Sequence, residues 1–175
     1  MIELVGKWNK NCYTIMEKIG QGNFGKLYKC RDQKGNIRAL KLSLSFSSIT
    51  REYNILKRLN HLKCIPKVYD YDDCIYRDNL YHFIAIDFIE GTNLKEYMLV
   101  HKFPLEEIFS IGLKLYIFLE RLYELGYKYT DIKLENILIN NNWDIFIVDF
   151  GGVIEIDIST IEYTPCYNLL SWRDP

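Results

Sequence analysis

The chain has 175 residues, 49% of them hydrophobic, enough to bury a substantial core as one domain or two small lobes. Lys plus Arg number 22 against 23 Asp plus Glu, and the resulting net charge of −1 gives no electrostatic case for nucleic acid or an anionic membrane. Met1 to Lys10 lacks the apolar run of a secretory signal and no stretch approaches a membrane span, so a cytoplasmic protein is expected. Five cysteines (Cys12, Cys30, Cys64, Cys74 and Cys166) are odd in number and show no CxxC spacing, which reads as free thiols in a reducing compartment. His61, His82 and His101 share no spacing that would build a metal site.

Residues 13 to 45 read as strands. Tyr13 to Ile19 leads into Gly20-Gln21-Gly22-Asn23-Phe24-Gly25, and Lys26 to Cys30 leads out towards a turn at Asp32-Gln33-Lys34-Gly35-Asn36. A dinucleotide fold would place a helix after such glycines; the β-rich alternation here fits strand–loop–strand, with a loop that can fold low over anionic oxygens. Ile37 to Leu42 is the next strand, with Ala39 and Lys41 on one face. Ser47 to Asn60 carries Ile49, Tyr53, Leu56 and Leu59 at a helical period, capped by Ser47 or Ser48. Glu52 shares the inward side of that helix, where a carboxylate requires a cation, and Lys41 is the candidate.

Pro66 to Tyr71 and Leu80 to Glu90 are read as two further strands separated by an acidic turn, and the second ends at Gly91. Thr92 or Asn93 caps a short helix through Met98. Pro104 starts a long helix that Gly126 ends, with Ile108, Ile111, Leu115, Leu119 and Leu122 on one stripe. Phe109, Tyr116, Ile117 and Phe118 widen its apolar share until it should be covered nearly all round.

Tyr129 to Gly151 is the densest stretch chemically. Apolar residues cluster after Asn136 and before Asp149, with the turn signal Asn140-Asn141-Asn142 between them, which predicts a hairpin with Asn136 and Asp149 near its open end. Asp131 lies on the loop leading in. Two oxygen ligands from separate segments suit Mg²⁺, which keeps several waters and binds phosphate oxygens. A further carboxylate, Asp131, and the ammonium of Lys133 are what phosphoryl transfer requires, to orient a hydroxyl and to hold moving charge.

The pattern Asp131-x-Lys133-x-x-Asn136 followed by Asp149-Phe150-Gly151 resembles the catalytic loop and metal-binding turn of eukaryotic-type Ser/Thr protein kinases. The resemblance implies an α+β two-lobe fold. Residues 1–90 would form a small lobe with an antiparallel β-sheet and one helix, and residues 91–175 a mainly helical large lobe that is short of the family's later helices. It implies ATP and Mg²⁺ as cofactors and a protein substrate. Gly20, Gly22 and Gly25 would cover the phosphates, Lys41 paired with Glu52 would hold the non-transferred ones, and Leu27 and Ala39 would sandwich the adenine. Ile86 would gate the back of that pocket, backbone groups from Asp87 to Ile89 would bond the adenine edge, and Leu138 joins the nucleotide-binding set. Asp131 and Lys133 would be catalytic, with Asn136 and Asp149 as metal ligands.

Three departures stand out. Tyr129-Thr130 replaces the family's His-Arg, which leaves Tyr129 able to stack under Phe150 but removes the cation on which a phosphorylated segment docks. Activity independent of phosphorylation at Thr160 or Thr164 is therefore expected. Thr164-Pro165-Cys166-Tyr167 resembles the substrate-facing loop, but Asn168-Leu169-Leu170 stands where Ala-Pro-Glu is expected. The helices that follow in the family are missing before Pro175, so the apolar helix from Pro104 would expose a face for a second copy or a partner, with Tyr167 to Trp172 contributing. A nucleotide-binding, pseudokinase-like regulatory module is the alternative to an active protein kinase, and a small-molecule kinase is a third reading that Lys133 disfavours.

Overall fold

The computed structural model describes residues 2–22 and 25–156; Asn23, Phe24 and everything expected of Thr160, Thr164 and Tyr167 to Trp172 lie outside the described residues. Six antiparallel strands form the first half: β1 (Ile2–Val5), β2 (Cys12–Gly22), β3 (Gly25–Asp32), β4 (Ile37–Ser43), β5 (Val68–Tyr76) and β6 (Asn79–Asp87). Their spatial order is β1-β2-β3-β4-β6-β5, and α1 (Phe46–Arg58) is inserted between β4 and β5. Alternation along β4 divides the sheet into two faces. Leu40 and Leu42 point into a core with Tyr13, Tyr28, Phe83 and Ala85, while Ala39 belongs to a second core with Ile49 and Leu56 of α1.

The sheet curls until its outer strands meet. Lys7 donates its amide to the Asp73 carbonyl at 2.7 Å, and the amides of Trp8 and Asn9 donate to the Asp72 carboxylate at 3.0 and 2.8 Å. Asp72 is buried, and these donors replace the water it has lost. Strand β1 had no signal in the sequence reading. It is four residues long, buries Leu4 alone, and is fixed by a carboxylate more than sixty positions away.

Strand β5 is longer than expected and runs through the acidic stretch. Asp70 accepts the Tyr13 hydroxyl at 2.6 Å and the Asn11 amide at 3.0 Å, and Asp73 meets His82 Nδ1 at 2.6 Å, so these carboxylates sit in a strand because each finds a partner. The turn is Arg77-Asp78, with φ of 51° and 60°, the left-handed pair that a tight hairpin uses. Ser45, one residue before α1, is its cap, accepting the Ser48 amide at 3.3 Å; the sequence placed the cap at Ser47 or Ser48.

The second half contains β7 (Thr92–Asn93), α2 (Leu94–Val100), α3 (Leu105–Glu124), β8 (Tyr127–Tyr129), β9 (Ile137–Ile139), β10 (Ile145–Ile147) and β11 (Val153–Glu155). Asn93 caps α2 through a bond to the Glu96 amide at 2.9 Å, and Gly126 ends α3 at φ 84°. The predicted hairpin is β9–β10, with Ile137 opposite Ile147 and Asn140 Oδ1 accepting the amides of Asn142 and Asp144. One core joins the underside of the sheet, α1 and this half through Ile84, Leu56, Phe118, Leu122, Ile147 and Phe150. A sheet with one helix joined to a second half of two helices and five short strands fits the α+β two-lobe plan expected of the sequence, though among the described residues that half is less helical than expected.

Helix α3 buries Phe118 and Leu122. Leu105, Ile108, Phe109, Leu113, Tyr116 and Ile117 are exposed among the described residues, including Ile108 of the expected buried stripe. No helix among the described residues is long and apolar enough to cross a membrane.

Candidate active site

Strand alternation and helix phase bring three charged side chains to one point. Lys41 pairs across the sheet with Ile84 and with Leu27, and its side chain leaves the face that packs on α1. Glu52 lies on the inward side of α1 and is 2% exposed. Lys41 Nζ donates to Glu52 Oε1 and Oε2 at 2.9 and 2.7 Å, so the ion pair expected from the sequence forms. The same ammonium reaches Asp149 Oδ1 at 2.7 Å, joining the sheet to the end of the β9–β10 hairpin. Burial works against the charge on Lys41, but the carboxylates of Glu52 and Asp149 outweigh it and hold the ammonium above the ordinary lysine value.

Asp149 has φ 64° and ψ 76°, a left-handed conformation that costs a non-glycine residue about 1–3 kcal/mol. Contacts on every side hold it there. The Tyr129 hydroxyl donates to the carbonyls of Val148 and Asp149 at 2.9 and 3.1 Å, and Phe150 behind it is 1% exposed. The rings of Tyr129 and Phe118 meet Phe150 edge-on, with centroids 6.0 and 6.5 Å away. Burial pushes the Tyr129 phenol up, which keeps it a donor across the accessible pH range.

The second cluster is Asp131, Lys133 and Asn136. Lys133 Nζ donates to Asp131 Oδ2 at 2.6 Å, and Asn136 Nδ2 donates to the Asp131 carbonyl and Oδ2 at 3.0 and 3.2 Å. The hydrogen bond and charge of Lys133 hold the Asp131 carboxyl below the usual carboxylate range. Asn136 is buried, and its carbonyl accepts the Val148 amide at 2.9 Å, which sets it one residue from Asp149 across the hairpin. Asn136 commits its nitrogen to Asp131, so the amide oxygen is the atom left to meet a cation.

The remaining predicted residues lie on the strands of the sheet, at its end and on β9. Gly20 pairs with Leu27 and Gly22 with Gly25, so the glycine loop is a hairpin closed at its base. Gly25 has φ 134° and lies so close to the Leu42 carbonyl that no side chain fits there. Leu27, Ala39 and Ile86 pack on one core, with Ala39 opposite Ile86 in the ladder. Asp87 ends β6, and Ile89 is half-buried just beyond it. Leu138 is half-buried on β9 opposite Phe146 and Asn93, and it is not part of the core that holds Leu27, Ala39 and Ile86.

Two contacts had no forerunner in the sequence reading. Arg51, beside Glu52, donates to the Gly151 carbonyl at 2.8 Å and ties α1 to the turn after Asp149. Thr130 donates both its amide and its hydroxyl to the Gly152 carbonyl, at 3.0 and 2.6 Å, so it replaces the family's arginine with a short tether. Gly152 itself is required, because a Cβ there would come 2.7 Å from Asp131 Cβ. A cleft of about 580 Å³ lies between α1 and β11, lined by residues including Arg51, Arg58 and Glu155, and none of the predicted site residues faces it.

The protein kinase domain family matches residues 13–169. The chain is 30% identical to the serine/threonine-protein kinase YabT of Bacillus subtilis, an alignment that covers 95% of this chain and 50% of that protein. It is 27% identical to the probable serine/threonine-protein kinase CPE1738 of Clostridium perfringens, over 92% of this chain and 24% of that protein. The serine/threonine-protein kinase Tao of Drosophila melanogaster is 29% identical over 86% of this chain and 15% of its own length. The chain thus spans half or less of the length of these curated relatives. With the fold and the Asp131-to-Gly151 stretch, the match shows that this chain belongs to the protein kinase domain family.

Proposed function

We propose that the chain is an ATP- and Mg²⁺-dependent Ser/Thr protein kinase that transfers the γ-phosphoryl group to a protein hydroxyl. The observation that carries this reading is the single ammonium, Lys41, held between Glu52 and Asp149 beside the Asp131–Lys133–Asn136 cluster. Asp131, ionised at neutral pH, orients the substrate hydroxyl and accepts its proton. Lys133 stabilises charge on the group in transit. Lys41 holds the non-transferred phosphates, and the hairpin of Gly20, Gly22 and Gly25 covers them. The donor set of an amide oxygen from Asn136 and a carboxylate from Asp149 fits Mg²⁺, which when bound supplies positive charge to the phosphate oxygens. Leu27, Ala39, Ile86 and Leu138 enclose the base, with the main chain from Asp87 to Ile89 along its edge. On this reading residues 1–90 act as the small lobe and 91–175 as the large one, with the hinge at Gly91.

The exposed apolar face of α3 favours a second reading, in which the chain binds nucleotide and regulates a partner or a second copy through that face. Incubation with γ-labelled ATP, Mg²⁺ and a generic basic protein separates the two. Label incorporated by the wild type and lost in Asp149→Asn supports the kinase; ATP binding without turnover supports the regulatory module. The same assay run without the basic protein reads autophosphorylation.

A further inference from the structure

Asp87 is the last residue of β6, where the chain leaves the sheet towards Gly91. Its carboxylate is held from three directions. Oδ1 accepts Arg38 Nη1 at 3.3 Å and the Tyr69 hydroxyl at 2.7 Å, and Oδ2 accepts the Lys67 amide at 3.1 Å. The Asp87 amide returns a bond to the Lys67 carbonyl at 2.9 Å, so both main-chain polar atoms of Lys67 are committed to this one residue.

Arg38 is itself fixed. Its guanidinium carbon lies 3.5 Å from the Tyr69 ring centroid, and its Nε is 3.4 Å from Asp32. Asp32 is anchored in the β3–β4 turn by the amides of Lys34 and Asn36, at 2.9 and 2.8 Å. The ladder sets Arg38 opposite Asp87 and Ala39 opposite Ile86. Alternation therefore puts the lattice on the sheet face away from Ala39 and Ile86, which belong to the core beneath.

An isolated exposed ion pair contributes little, because two long side chains must be ordered in water to make it. This arrangement differs: the guanidinium is largely buried, planar against a ring, and charge-assisted on both sides. Residues just past the end of a strand lose the ladder that would orient their polar atoms. A ligand that must first order them binds more weakly than one meeting them already ordered.

We propose that Arg38, Tyr69 and the Asp87 carboxylate form a strut that fixes the main chain of residues 87–89 in the orientation an adenine edge requires. Arg38 and Tyr69 are then positioning residues for nucleotide recognition, an assignment that rests on the nucleotide site proposed above. The strut acts on the base and not on the phosphates, and this makes it separable from a general loss of structure.

The test is calorimetric binding of MgATP and of magnesium tripolyphosphate to the full chain, as wild type, Arg38→Gln and Tyr69→Phe. The expected result is an ATP dissociation constant raised about tenfold in each variant, with tripolyphosphate binding within about twofold of wild type. Wild-type ATP affinity in both variants overturns the strut while leaving the nucleotide site intact. Equal weakening of both ligands overturns it too, by showing a structural defect. A wild type that binds neither ligand overturns the nucleotide site and the strut together. Tyr69→Phe removes one oxygen and keeps the ring, so it decides the matter even where Arg38→Gln fails to fold.

Discussion

The two halves of the molecule complete their cores to different degrees. The curled sheet encloses Leu40, Leu42, Phe83 and Ala85 with no exposure at all, and its outer strands are bridged by Lys7, Trp8 and Asn9. Helix α3, by contrast, buries Phe118, against Phe150, and Leu122, and leaves Phe109, Leu113 and Ile117 exposed among the described residues. The glycine hairpin and Lys41 thus stand on a self-contained scaffold. Asp131 to Asp149 pack beside a helix whose outer face is exposed among the described residues.

The largest expected effect tests the point where the halves join. Asp149→Asn removes the carboxylate charge that Lys41 bridges to Glu52, and labelled-phosphate incorporation should fall by about a thousandfold. Residual activity near wild type would break the assignment of Asp149 to the metal. Next comes the contrast in packing. Phe83→Ala opens a cavity in the sheet core and should cost about 3–5 kcal/mol in a urea melt. Phe109→Ser should cost under about 0.5 kcal/mol while changing the sedimentation coefficient if a second copy covers α3. Equal costs would erase the difference between the halves.

Two smaller effects sharpen it. Lys133 depresses the Asp131 carboxyl in the folded chain, so the ionised form, fully present above the ordinary carboxylate value, persists to lower pH and is lost only as pH falls through the depressed one. Removing the ammonium in Lys133→Met should move the acid limb of the Asp131 titration, followed by carbon-detected NMR, to higher pH. An unmoved limb would contradict the pairing. Gly112→Ala should stabilise by about 0.5–1 kcal/mol, because nothing lies within 4 Å of the added carbon. Destabilisation there would instead reveal a close neighbour on the α3 face.

What could be read from the sequence follows the range of each interaction. Lys41 and Glu52 were placed correctly because strand alternation and helix phase are local rules, and both side chains obey them. The hairpin between Asn136 and Asp149 was legible from its asparagine turn. Strand β1 and the extension of β5 were not, since Asp72 settles both by reaching back to Trp8 and Asn9. The Arg38–Asp87–Tyr69 lattice was equally hidden, for it depends on three strands arriving in register. The motif singles out Asp131, Asn136 and Asp149 without any structure; the contacts of Asp149 to Tyr129 and Lys41 span 20 and 108 positions and follow only from the fold.

The bridge at Asp72 bears on how the protein can be handled. Clipping the chain ahead of Tyr13 would remove the amides that Asp72 accepts and lay bare the flank of β2, the kind of open border along which sheets of different molecules zip together. The first dozen residues are thus a clasp, and a shortened product should clump before it loses its helices.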